Sequence, residues 1–156
     1  MKTLTQLVLL GFVLLSGCTS VSPELGVKNG QLTPCPEKPN CVSSLTEDKS
    51  QYVEPMLHDG QPRQIKSDIL QVLAELDNSQ TTVSKDNYIR AEFTSTVFRF
   101  VDDVEFYFPE TTSNGTQIHL RSASRVGHSD FGVNRKRIEL IRSKFENIRQ
   151  ETDPSQ

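Results

Sequence analysis

A chain of 156 residues without internal repeats accommodates one domain around one core. Its net charge of -3 and pI near 5.6 give no whole-molecule attraction to nucleic acid, and none is expected as a partner. The charge is unevenly placed: residues 18–118 carry 8 basic and 15 acidic side chains (8 - 15 = -7), and residues 119–149 carry 8 and 3 (8 - 3 = +5). The cationic last third can meet an external anion or pair with the acidic part of its own chain.

Lys2 precedes an apolar run, LVLLGFVLL at residues 7–15, that is too short to span a bilayer and reads as an export signal. Leu15-Ser16-Gly17-Cys18 resembles the bacterial lipoprotein box, with small residues directly before a cysteine. The resemblance implies that residues 1–17 are removed, that the Cys18 sulfur takes a diacylglyceryl group and that its new amine is acylated. The mature chain would have 156 - 17 = 139 residues. Each buried methylene contributes about 0.8 kcal/mol, so two or three acyl chains hold a protein on a membrane where one does not. Thr19 and Ser20 follow the cysteine in place of an aspartate, which resembles sorting to the periplasmic leaflet of the outer membrane in Gram-negative bacteria. An ordinary cleaved signal with an incidental cysteine is the alternative. Residues 18–33 then form the lipidated cysteine and a polar tether with Pro23, Gly26 and Gly30, expected to be flexible. Residues 34–150 make the domain and 151–156 a disordered tail.

Cys35 and Cys41 bracket two prolines, and in an oxidising compartment a disulfide is the expected outcome. Metal binding is the alternative, but no histidine stands nearby to complete a tetrahedral set. Ser43 and Ser44 read as turn or capping residues.

Residues 64–76 place Ile65, Ile69, Val72 and Leu76 at helical spacing, widened by Leu70 and Leu73. Residues 81–84 and 88–94 read as a hairpin, with Ile89, Ala91 and Phe93 on a buried face and Tyr88, Arg90 and Glu92 on a wet one. Residues 103–108 repeat the alternation. Asn114-Gly115 closes the turn into residues 116–125, and pairing Phe106 with Leu120 sets Tyr107 against His119 and Glu105 against Arg121. Residues 97–101 are a further strand or a kinked continuation. Residues 134–149 carry Ile138, Ile141, Phe145 and Ile148 on one helical face. The fold class is α+β, an antiparallel sheet of four to five strands with both amphipathic helices on one face.

Four separated motifs carry a resemblance: Cys35-Pro36 with Asn40-Cys41-Val42-Ser43-Ser44, Val101-Asp102-Asp103-Val104-Glu105, Arg121 to Gly127, and Ser129 to Arg135. Together they resemble the domain-of-unknown-function family numbered fourteen ninety-nine, found in bacterial envelope proteins and some photosynthetic eukaryotes, over residues 35–149. The resemblance implies no catalytic residue and no cofactor.

The stretch from Arg121 to Arg137 sets Arg121, Arg125, His128, Arg135, Lys136 and Arg137 against one acid, Asp130. Three of these cations fall in the first turn of the second helix, where the free N–H groups favour anions. Either Asp102 and Asp103 or an earlier helix start at Asp130 compensates, or Arg121, Arg125, His128, Asn134, Arg135 and Arg137 hold an anionic ligand. The chemistry of an enzyme is thinly represented. Ser122 or Ser124 with His128 and Asp130 are nucleophile-and-base residue types, without a Gly-x-Ser-x-Gly turn. His119 and His128 lack a third zinc ligand.

Three function classes follow. The first is a lipid-anchored periplasmic binding or accessory module that recognises an anionic small molecule, lipid headgroup, glycan or envelope protein. The second is a hydrolase of an envelope substrate, and the third a structural lipoprotein whose arginines pair internally.

Overall fold

A computed structural model describes residues 22–109 and 115–152. The signal segment, Cys18, Asn114 and residues 153–156 lie outside the described residues. The chain runs β1 (Val27–Lys28), β2 (Gln31–Leu32), β3 (Cys41–Ser43), β4 (Met56–His58), α1 (Pro62–Glu75), β5 (Ser79–Lys85), β6 (Tyr88–Thr94), β7 (Val101–Tyr107), β8 (Thr116–Ser124) and α2 (Val133–Thr152). The helix therefore occupies the first two residues of the expected tail.

Strands β3, β8, β7, β6 and β5 lie side by side, all antiparallel. β4 pairs with the first residues of β8 and β3 with its later ones, so the two short strands share one edge. Among the described residues the sheet thus has six strands, not four to five, and β1 and β2 add a separate hairpin. The three-residue strands carry too short a pattern to show in the sequence. The expected β7–β8 register is the observed one, with Glu105 opposite Arg121, Phe106 opposite Leu120 and Tyr107 opposite His119.

The apolar face of the sheet carries Ile89, Ala91, Phe93, Val104, Phe106, Ile118 and Leu120. These join Ile65, Ile69, Val72 and Leu73 of α1 and Ile138, Ile141 and Phe145 of α2 in one cluster. The helices do not sit on the sheet independently. They also pack on each other, α1 reaching β5 and α2 reaching β8. Pro62 opens α1 at a position where its missing N–H costs nothing. Among the described residues no helix is long and apolar enough to cross a membrane.

Three expectations are corrected here. Tyr88 and Arg90, assigned to a wet face, are buried, and Asp103 and Glu105 beside them are more so. The cause is the second correction: of the tether expected over residues 18–33, the described residues 22–33 form a segment laid against that face. Leu32 packs on Tyr88 and Tyr107 with Val27 and Val83, and Ser22 and Pro23 accept hydrogen bonds from Arg90. Third, of residues 97–101 only Val101 lies in a strand, where it opens β7; residues 95–100 form an exposed turn, closed by Arg99 N–H to Ser95 O and Phe100 N–H to Ser95 Oγ.

Cys35 and Cys41 are disulfide-bonded, with Cα atoms 5.6 Å apart. The loop they close leads into β3, and Gln51 fastens it by donating to the Pro36 and Lys38 carbonyls.

Candidate functional site

The covered face of the sheet is built from charges in register. Arg90 on β6 lies opposite Glu105 on β7, which lies opposite Arg121 on β8; one row along, Glu92 lies opposite Asp103. Alternation puts these side chains on the same face, and the strand spacing brings opposite charges within contact. Asp103 is the hub. Arg90 donates to its Oδ1 through Nε (2.9 Å) and Nη2 (2.7 Å), and Arg125 to Oδ2 through Nε (2.8 Å) and to Oδ1 through Nη2 (2.8 Å). Arg125 also pairs with Glu92. Arg121 Nη1 donates to Glu105 Oε2 at 2.9 Å, and the Tyr88 hydroxyl to Oε1 at 2.7 Å.

Burial and pairing set the protonation of this lattice. Glu105 is 0 % exposed, and burial pushes its carboxyl above the ordinary carboxylate range against the opposing pull of Arg121 and Tyr88. Burial, then the neighbouring Glu105, likewise raises the Tyr88 phenol. The hydrogen bond to Asp103 leads in holding Arg125 firmly protonated. Three arginines thus face three acids: the lattice offers directed donors, not excess positive charge.

One donor is left over. Arg121 is 5 % exposed, and its buried Nε–H has no acceptor among the described residues. The same side chain lines a cleft of about 350 Å³ between β7, β8 and the N-terminal segment, with Asp103, Ala123, Ser124 and Arg125 on one side. Pro23, Glu24, Leu25, Thr33, Pro34 and Pro36 form the other.

The cationic stretch read as one surface is divided between two faces. Arg121 and Arg125 enter the lattice. Arg137 lies on the helix side, donating to Asp102 Oδ2 (2.6 Å) and Asn134 Oδ1 (2.8 Å), with its guanidinium 4.8 Å above the Phe93 ring. Arg135 donates to the carbonyls of Tyr52 and Ser50 at 2.7 and 2.8 Å. His128 is exposed. Asn134 is fully buried, with Nδ2 donating to Asn40 O, Ser124 Oγ and Asp130 Oδ2.

Compensation for the cationic helix start is only partly as expected: Asp103 is taken up by Arg90 and Arg125 on the other face, and α2 begins at Val133, not at Asp130. Asp102 neutralises Arg137, and the Asp130 carboxylate accepts from Asn134 N–H (2.8 Å) and Gly132 N–H (2.9 Å). Burial raises the Asp130 carboxyl, but those backbone bonds outweigh it and hold it below the ordinary carboxylate range. Gly127 and Gly132, with φ of +91° and +79°, give this strand-to-helix turn the left-handed backbone it needs.

The nucleophile candidates are bound to an amide instead of a base. Ser122 Oγ donates to Asn134 Oδ1, and Ser124 Oγ accepts from Asn134 Nδ2. Ser44 Oγ lies 3.3 Å from His119 Nδ1 but accepts the Leu120 N–H at 2.9 Å, so it serves to tie β3 to β8.

A family model described as "Protein of unknown function (DUF1499)" matches residues 31–145. The chain belongs to that family. The family's matched region takes in β2 through most of α2, and with them every strand of the charged lattice. A search of curated proteins finds no match.

Sequence alternation alone assigns Arg90, Glu92 and Tyr88 to water and so hides them as site residues. Their signal was present in the register: Arg90, Glu105 and Arg121 stand in one row, each facing its opposite charge.

Proposed function

We propose that the chain is a lipid-anchored periplasmic binding or accessory module of the bacterial envelope, taking an anionic group in the cleft over β7 and β8. Arg121 carries the reading. An unmatched buried N–H costs about 1–3 kcal/mol, more when charged, and because the same side chain lines the cleft, a small turn of the guanidinium would let a ligand oxygen there satisfy it. Ser124 and Arg125 line the same cleft, and Glu24 on the N-terminal wall supplies an acceptor for a hydroxyl or ammonium beside that anion. Because the other charges are balanced, the fitting group is a carboxylate or phosphate on a lipid headgroup, glycan or envelope protein, held by direction more than by net charge. The lipoprotein box at Cys18 supports the anchor and the periplasmic leaflet of the outer membrane as its location.

The test follows the melting temperature of the purified chain against phosphorylated, sulfated and carboxylated compounds at low and physiological salt. A ligand that binds the folded state raises it by mass action. Arg121→Lys keeps a cation opposite Glu105 and deletes the Nε donor, so it should abolish the rise. A rise that survives Arg121→Lys, or no rise with any compound, contradicts the reading.

A further inference from the structure

The loops at one end of the sheet carry an apolar surface that the fold does not use. Residues 95–100 join β6 to β7, and residues 125–132 join β8 to α2. The Arg125 N–H donates to Val101 O, which sets the two loops side by side. On the first, Val97, Phe98 and Phe100 are 80, 72 and 50 % exposed; on the second, Phe131 is 91 % exposed, flanked by exposed Val126 and Val133. An exposed apolar patch of this kind marks an interaction surface.

These loops are ordered presentations. The Phe98 and Phe100 rings stack on each other with centroids 5.5 Å apart, and hydrogen bonds to Ser95 close the turn beneath them. Among the described residues the non-glycine positions with left-handed backbone are Asn29, Asn78, Arg99 and Phe131. Asparagine tolerates that conformation, whereas arginine and phenylalanine do so at a cost. Both costly positions fall in these two loops and hold the rings away from the core. Arg99 and Lys136 are exposed at the same end, where the Asp130 carboxylate is occupied by the start of α2.

The N-terminus selects the occupant. Ser22 and Pro23 are fastened by Arg90, whose guanidinium sits on Asp103, two residues from the start of β7 at this end. Cys18 precedes Ser22 by four residues, a contour of at most about 14 Å. We propose that this end of the domain docks onto the bilayer, Phe98, Phe100 and Phe131 entering the interface while Arg99 and Lys136 meet anionic headgroups. The inference rests on the lipid anchor at Cys18 and adds an orientation: the cleft framed by residues 23–36 is held next to the headgroups.

The chain has no tryptophan, so a single introduced indole reports its own surroundings. The full chain, processed in the cell envelope, is reconstituted on phosphatidylethanolamine–phosphatidylglycerol vesicles as Phe98→Trp, Phe131→Trp or Leu57→Trp. Leu57 is also exposed but lies on β4, against the opposite end of β8. Phe98→Trp and Phe131→Trp should emit at shorter wavelength on vesicles and lose most of their intensity to brominated acyl chains, and Leu57→Trp should do neither. A chain that fails to float with vesicles overturns the anchor and this proposal together. One that floats with Phe98→Trp no more quenched than Leu57→Trp overturns the orientation alone. A blue shift that grows with protein concentration in the absence of vesicles assigns the surface to a second copy, and overturns it too.

Discussion

The two faces of the sheet are buried by different means. On one, α1 and α2 press isoleucines, leucines and phenylalanines onto alternate residues of β6, β7 and β8. On the other, a segment with little apolar content covers arginines and carboxylates that satisfy one another. Apolar contact is non-directional, so the first face depends on volume. Buried charge is stable only while each partner is present, so the second depends on register and identity.

Truncation has the largest effect on either face. Phe106→Ala should cost about 3–5 kcal/mol through the cavity it leaves. Asp103→Ala should cost a similar amount, about 3–5 kcal/mol, by stranding Arg90 and Arg125. Second changes distinguish the causes in urea unfolding. Adding Arg90→Ala to Asp103→Ala should return part of the loss, whereas adding Ile141→Ala to Phe106→Ala should deepen it. Strict additivity on the charged face would contradict the lattice.

Reducing the Cys35–Cys41 bond should cost about 2 kcal/mol by the loop-entropy estimate. The loss should include weaker protection of residues 22–36 in hydrogen exchange, since that loop continues the covering segment. Asp130→Ala should cost about 1 kcal/mol as a lost helix cap, read as a lower urea midpoint at unchanged slope.

Acidity probes the covered face more gently. Burial holds His119 below its ordinary value of 6.5, so its contribution is present above that value and lost as pH falls through the folded one. Glu105 is raised above its ordinary 4.5; its contribution is full below that and lost as pH rises through the folded value. His119→Gln should therefore remove a loss of stability on the acid side of 6.5, and Glu105→Gln should remove a decline on the alkaline side of 4.5. Unfolding curves collected across that window check both. An unchanged profile in either variant contradicts the assignment.

The sequence made much of the apolar face legible and little of the charged one. Periodicity placed both helices, and the match of Phe106 to Leu120 and Glu105 to Arg121 fixed the β7–β8 register. Alternation by itself implies a solvated second face, which holds for many antiparallel sheets. It failed for Tyr88 and Arg90 because residues 22–36 offer Leu32 and Val27 as their main apolar contacts, too sparse a pattern to announce a covering layer. The same sparseness made that segment look like a tether. Arg121 could be paired from sequence, but its spare Nε–H could not, because which nitrogen meets Glu105 depends on side-chain geometry.

The claim that this face is a site and not only a scaffold rests on that nitrogen, and its proton can be followed by nuclear magnetic resonance. Titration of the chain with inorganic phosphate at low salt should move the Arg121 Nε–H resonance downfield and saturate, while the Arg125 Nε–H, already bonded to Asp103, moves little. An Arg121 resonance that stays put, or that drifts without saturation alongside exposed Arg99, would make the lattice scaffolding and the cleft empty of function.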